Sequence, residues 1–224
     1  MYLLFFVASG VSEVFFRSAG TSAITAIPDD GSTLARALAT HADAFRAGFG
    51  LNLVADGLYA VLMALFYRLL RPVDRTIALA ALVLAMIALA VQVSGAVAQL
   101  AGFGVAQGIP TGLSEPEAFV LVVILLRMNA QAAGVALVFW APYWLLTAAL
   151  VFRSTFLPRW LAVPLALAGL GWLTFLWPPL AASAPVAVVG GVAEIILMLW
   201  LLVRGVDEAR WRVILESTTR RPVA

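Results

Sequence analysis

Glu13 and Arg17 stand one helical turn apart inside the apolar run Ser12-Glu13-Val14-Phe15-Phe16-Arg17, and an acid and a base at that spacing bear directly on chemistry. Where such a run crosses a bilayer, each charge costs about 2.5 to 3.5 kcal/mol at the centre, so an ionisable residue there is by default a candidate site. The acid precedes the base by four residues, the favourable order for pairing on one helix face. Two uses are open: a self-neutralised structural lock, and a site that binds or transforms a ligand.

Matching groups elsewhere in the chain bear on that choice. Counted at about 1.5 Å per residue from the arginine-rich end of each apolar segment, Asp56 and Glu194 fall with Glu13 near the midplane. Gln92 lies a little beyond them. Arg17, then Arg46 and Gln99, come nearer the opposite face, and Arg127 lies at or past the interface. Three carboxylates at one depth cannot all be ionised in a low dielectric without equal compensation, so at least one holds a proton. Such an acid can act as a general acid, a proton relay or a silent hydrogen-bond donor. The candidate acid–base groups are therefore Glu13, Asp56 and Glu194. Candidate ligand contacts are Arg17, Arg46, Asn52, Gln92, Gln99 and Arg127. Trp140 and Tyr143 join them from the aromatic group Phe139, Trp140, Tyr143 and Trp144 beside Pro142, which can line an apolar pocket or simply pack.

Helix periodicity supports convergence. Asn52 and Asp56 share a face, and Gln92, Gly95, Gln99 and Gly102 form one stripe, where glycines admit a neighbouring backbone and glutamines bond across helices. Arg127 and Gln131 lie on one face of their segment, whereas Asn129, Trp140, Tyr143 and Thr147 lie roughly opposite.

The elements that carry these groups are membrane spans. With 63% hydrophobic and 12% charged residues and a mean hydropathy of +1.02, the chain lies far from a soluble balance. The expected fold is all-α: a single bundle of six transmembrane helices over residues 1–205, with a polar tail at 206–224. Its partner is the lipid bilayer, and a net charge of +2 gives no case for nucleic acid. All 14 basic residues are arginine, which excludes lysine Schiff bases. The absence of cysteine removes thiolate chemistry and iron–sulfur ligation. His41 is the one histidine, so it is expected as a solvated loop residue. Asp29-Asp30 is expected as a turn, and no metal or cofactor is anticipated.

In order, the first span covers residues 1 to about 27; Thr21-Ser22-Ala23 resembles a cleavage site, but the charged pair is wrong for a signal peptide. A turn at Pro28-Asp29-Asp30-Gly31 precedes a short amphipathic helix from about Leu34 to His41. The second span runs from about Asp43 to Tyr67 and the third from about Ile77 to Phe103. Gly102, Gly104, Gly108, Pro110 and Gly112 are expected in a flexible loop. Ser114-Glu115-Pro116-Glu117 starts a helix with no clear stop before Arg153, with Pro142 as the expected kink. The fifth span runs from about Pro158 to Trp177, is ended by Pro178-Pro179, and the sixth runs from Pro185 to Val203. Trp211 and Ile214 suit a short interfacial helix in the tail. Connections two–three and four–five plus the tail hold ten arginines against Arg36 and Arg46 on the other side, which puts both termini in the cytoplasm.

Four stretches carry a family resemblance: Ser12 to Arg17; Phe45-Arg46-Ala47-Gly48-Phe49 leading to Asp56; Phe152-Arg153-Ser154-Thr155-Phe156-Leu157-Pro158-Arg159; and Glu194 to Trp200 with Arg204-Gly205-Val206. Together they resemble the bacterial membrane-protein family catalogued as domain of unknown function 4386, over nearly the whole chain. The pattern departs at Met128-Asn129 and Trp140-Ala141. The resemblance implies the fold, the shared polar positions and a multi-pass place in the bacterial cytoplasmic membrane, and it implies no reaction. The functional expectation is a polar site in the outer half that binds a small amphiphilic or lipid-like molecule. A membrane-embedded acid–base enzyme, a cyclase or isomerase of an isoprenoid, polyketide or lipid, and an accessory subunit of a larger complex are the alternatives. Oligomeric state is left open.

Overall fold

The computed structural model describes residues 1–19, 31–176 and 186–219, and all regular structure among them is helical. The expected extension of span one past Ala19, the cleavage-like Thr21-Ser22-Ala23, the Asp29-Asp30 turn, Trp177-Pro178-Pro179, Pro185 and Arg220-Arg221 lie outside the described residues.

The helices are α1 (Tyr2–Ser18), α2 (Gly31–Thr40), α3 (Ala42–Leu70), α4 (Arg75–Ala106), α5 (Glu115–Arg153), α6 (Ala162–Leu173, preceded by a 3₁₀ turn at Arg159–Leu161), α7 (Val186–Val203) and α8 (Glu208–Thr219). Three of them, α3, α4 and α5, are long and apolar enough to cross a membrane, with mean hydropathies of 1.7, 2.5 and 2.0 in their most apolar stretches. Helix α5 runs for 39 residues with Pro142 inside it. At about 1.5 Å per residue that is close to 58 Å, nearly twice a hydrocarbon core of about 30 Å.

Local chemistry sets the helix ends. The Asp74 carboxylate accepts the backbone N–H groups of Thr76 and Ile77 at 3.1 and 3.0 Å, capping α4. Glu117 accepts both the N–H and the hydroxyl of Ser114 at the start of α5, a capping arrangement. Two glycines of the expected loop are not loop residues: Gly102 and Gly104 lie within α4. Gly108 ends that helix with φ +83, while Gly108 and Ile109 donate back to the carbonyls of Val105 and Gly104. This is a Schellman motif, which needs the left-handed residue that glycine supplies without a steric penalty.

The chain forms two compact units. The first comprises residues 1–59 and 89–136, and the second residues 60–88 and 137–224, so α3, α4 and α5 each contribute to both. The core of the first gathers Phe16, Leu34, Leu38, Phe45, Phe103, Val122 and Leu126. Phe45 stacks on Phe103 at 4.3 Å and meets Phe16 edge-on at 5.7 Å. The second unit buries Trp144, Leu150, Leu161, Leu165 and Leu197 almost completely, and α6 packs along α7.

Candidate functional site

In the first unit, close contacts fix the register of the helices. Phe5 stacks on Tyr59 at 4.4 Å, the Ser12 hydroxyl donates to the Gly48 carbonyl at 2.8 Å, and Phe16 meets Phe45, so α1 and α3 run antiparallel. Gly48 makes this approach possible, because a Cβ there would stand 3.1 Å from the Phe15 Cβ and 3.2 Å from the Ser12 carbonyl oxygen. Helices α3 and α4 are antiparallel too, tied by Phe45 on Phe103 and by Gln92 on Asp56. Along α4 and α5, Gly95 faces Asn129 and Ala132, and Gly102 faces Leu125 and Val122. The glycines of the stripe expected on α4 therefore form a packing face toward α5, while its Gln92 bonds Asp56 on α3.

Three tiers of polar groups follow. Nearest α2, Arg17 and Arg46 come level with Phe103, over whose ring the Arg46 guanidinium sits at 5.5 Å. Each arginine spends one nitrogen on an acid of its own helix: Arg17 Nε on Glu13 at 2.9 Å, Arg46 Nη1 on Asp43 at 3.0 Å. Both arginine side chains remain 60% exposed, while that of Glu13 is only 17% exposed. The middle tier holds Glu13, Gln99 and Arg127 at one level; Gln99 is buried and Arg127 exposed. The third tier is Asp56 with its partners. Asn52 Nδ2 donates to one carboxyl oxygen at 3.1 Å and Gln92 Nε2 to the other at 3.2 Å. Asp56 is 7% exposed and forms no ion pair among the described residues.

This register revises the counted depths. Glu13 stands level with Gly48, so Asp56 lies about 12 Å further along α3 rather than beside it. Counting residues from the ends assumed that both spans begin at one level, whereas the Ser12–Gly48 contact sets their offset.

Glu194, Trp140 and Tyr143 belong to the second unit. Glu194 is half-buried on α7. Trp140, Tyr143 and Trp144 are packed into the core, 6%, 2% and 2% exposed, with Tyr143 edge-on to both tryptophans. The Tyr143 hydroxyl has no well-formed hydrogen bond among the described residues; Thr147, one turn on, and the Glu194 carboxylate are the polar groups acting on it. Beside Tyr143 and Thr147 lies a void of about 10 Å³, walled by Met63, Phe66 and Ala81. That is room for about one water molecule. Among the described residues the aromatic group packs into the core of this unit.

Three contacts were not anticipated from the chain alone. The Ser12 hydroxyl bond has a faint signal in Gly48, a small residue inside an aromatic run. The Arg153–Asp74 pair at 3.5 Å joins the C-terminus of α5 to the N-terminus of α4. The Trp211 indole donates to the Leu69 carbonyl at 3.0 Å, pinning α8.

A family model described as Domain of unknown function (DUF4386) matches residues 1–205. No curated protein and no solved structure matches the chain.

Proposed function

Because the chain belongs to the DUF4386 family, whose description assigns no activity, the tiers must carry the functional argument, and we propose that the protein is a six-span bundle of the bacterial cytoplasmic membrane that binds a small amphiphilic or lipid-like molecule. The molecule's anionic or polar head meets Arg17 and Arg46 in the outer half, and its body lies toward Gln99 and the Asp56–Asn52–Gln92 cluster. The supporting observation is the level shared by the two exposed guanidiniums, each with nitrogens unspent on acids among the described residues. Guanidinium forks suit carboxylate and phosphate heads, and they extend toward an interface on apolar stems.

Native mass spectrometry of the purified chain is expected to find a copurified amphiphile. Arg46→Gln, which removes a guanidinium paired among the described residues with the exposed Asp43, is expected to lower its occupancy several-fold without loss of expression. Equal occupancy in the variant, or bulk membrane lipid alone in both proteins, would sink the proposal.

One observation favours a second reading, an acid–base enzyme acting on an isoprenoid, polyketide or lipid. Asp56 is a buried carboxyl held by two amides and, among the described residues, by no cation, which leaves it a group that can exchange a proton with a substrate. If so, Asp56→Asn should copurify with a molecule of different mass from that on the wild type, substrate in place of product. The same mass on both returns Asp56 to a binding or structural role.

The orientation proposed has both termini in the cytoplasm and the α2 segment outside, from the arginine bias. Single cysteines report cleanly, since the chain has none. A cysteine at Ser32 is expected to react with an impermeant maleimide in intact cells, and one at Ser217 only after lysis. The opposite labelling pattern would reverse the topology.

A further inference from the structure

Helix α8 is fastened at three points within the second unit. Trp211 donates to the Leu69 carbonyl at 3.0 Å, the Asp207 N–H to the Phe156 carbonyl at 3.2 Å, and Arg210 Nη1 to the Thr155 carbonyl at 3.2 Å. Between α8 and the turn after α5 these bonds leave a cleft of about 240 Å³, lined by Thr155, Ala209, Arg210, Val213 and Ile214. That is below the roughly 300 Å³ at which pockets begin to hold drug-sized molecules, so it suits a head group and not a whole lipid.

The cleft is chemically two-sided. Arg210 and Thr155 give its lining a polar part, and Ala209, Val213 and Ile214 an aliphatic one. Arg210 uses Nε on Asp207 and Nη1 on the Thr155 carbonyl, so its second terminal nitrogen has no protein partner among the described residues. The two segments that supply the cleft's lining, residues 152–159 and 204–216, carry five arginines against the three acids Asp207, Glu208 and Glu216. Arg153 and Arg212 are paired with Asp74 and Glu208, whereas Arg159, stacked over the Phe152 ring at 5.6 Å, and Arg204 have no acid partner among the described residues. Val213 is 67% exposed despite its apolar side chain. Four residues separate the apolar α7 from α8, so the cleft opens where an apolar helix ends.

We propose that this cleft binds the phosphodiester head group of an anionic phospholipid, with Arg210 on the phosphate and Val213 and Ile214 against the glycerol and first methylenes. An aliphatic wall gains nothing from inorganic phosphate but gains from a lipid, and a cationic rim selects an anionic lipid over a zwitterionic one. The site is built from residues other than those of the arginine tier, and it holds whichever way the chain is oriented.

The test uses the full chain in neutral detergent with equal amounts of phosphatidylglycerol and phosphatidylcholine, read by native mass spectrometry. The wild type is expected to retain phosphatidylglycerol about fivefold over phosphatidylcholine, the contribution of about one well-placed cation. Arg210→Gln is expected to bring that ratio close to one. Arg212→Gln, which removes an arginine outside the cleft, is expected to leave it within twofold. Val213→Asp, which puts an anion into the aliphatic wall, is expected to abolish the preference with α8 still fastened by Trp211. An unchanged ratio in Arg210→Gln overturns the proposal. So do equal losses in the two arginine variants, which would mean a diffuse positive surface. Should Arg210→Gln fail to fold, an unchanged ratio in Val213→Asp overturns it alone.

Discussion

Gly95→Leu is expected to drive α4 and α5 apart in the first unit and to cost more than about 2 kcal/mol, the larger end of what overpacking does to a tight contact. A Cβ at Gly95 would already stand 2.8 Å from the Ala132 Cβ and from Asn129 Oδ1, and 3.2 Å from the Asn129 Cα. Two of these three neighbours lie on or next to the α5 backbone and cannot rotate away. The partner helix must move, and Gly102 against Leu125 lies two turns along the same face, so the displacement propagates. Gly50 is the matched control, because a Cβ there meets nothing within 4 Å. Thermal aggregation in detergent should show Gly95→Leu losing its folded fraction many degrees below Gly50→Leu. Identical curves would mean that the α4–α5 contact is not as close as described.

The second large effect concerns Glu13 and Arg17. Arg17→Met alone removes the guanidinium that bonds at 2.9 Å to Glu13, whose side chain is only 17% exposed, and losing a hydrogen bond to a charged group there is expected to cost about 2 kcal/mol. Glu13→Gln together with Arg17→Met removes both charges and is expected to cost less than about 1 kcal/mol, since replacing a whole pair is often neutral. The double variant therefore separates folding from use. If the pair only locks the fold, the double variant should keep its copurified molecule. If the pair belongs to the binding site, a well-folded double variant should lose it. The proposed function requires the second outcome, and undiminished occupancy would leave the pair as a lock. Asp56→Asn should fold in either case, because the amide of Asn52 or Gln92 can turn its oxygen toward the new donor.

Much of this architecture is legible in the sequence because apolar length and capping chemistry are local properties. The second and third spans come out within a few residues of α3 and α4, and Ser114 with Glu117 marks the start of α5 as the capping box requires. The errors arise where a partner decides. Gly102 and Gly104 look like loop residues by composition, yet both lie in α4, and Gly102 packs where a Cβ would come within 3.2 Å of the Leu125 Cβ. The common depth assigned to Glu13 and Asp56 fails because helix offset is set by the seating of Ser12 on Gly48. Asn52 and Asp56 on one face, by contrast, follows from spacing alone and appears as a hydrogen bond. Trp140 and Tyr143 are recognisable as a cluster from sequence. Whether aromatic rings enclose a cavity or fill it is a matter of volume, which spacing does not encode.

The bond from Trp211 to the Leu69 carbonyl also says something about the order in which the molecule is finished. Its partners are 142 residues apart in the chain. On a ribosome adding roughly 5 to 20 residues each second, Leu69 waits at least several seconds before Trp211 has been made. During that interval α5, α6 and α7 are synthesised, so the fastening of α8 arrives after the helices beside it have had time to pack. It behaves as a clasp on a completed assembly, adding nothing to the early search and closing only over an end of the second unit whose helices have found their places.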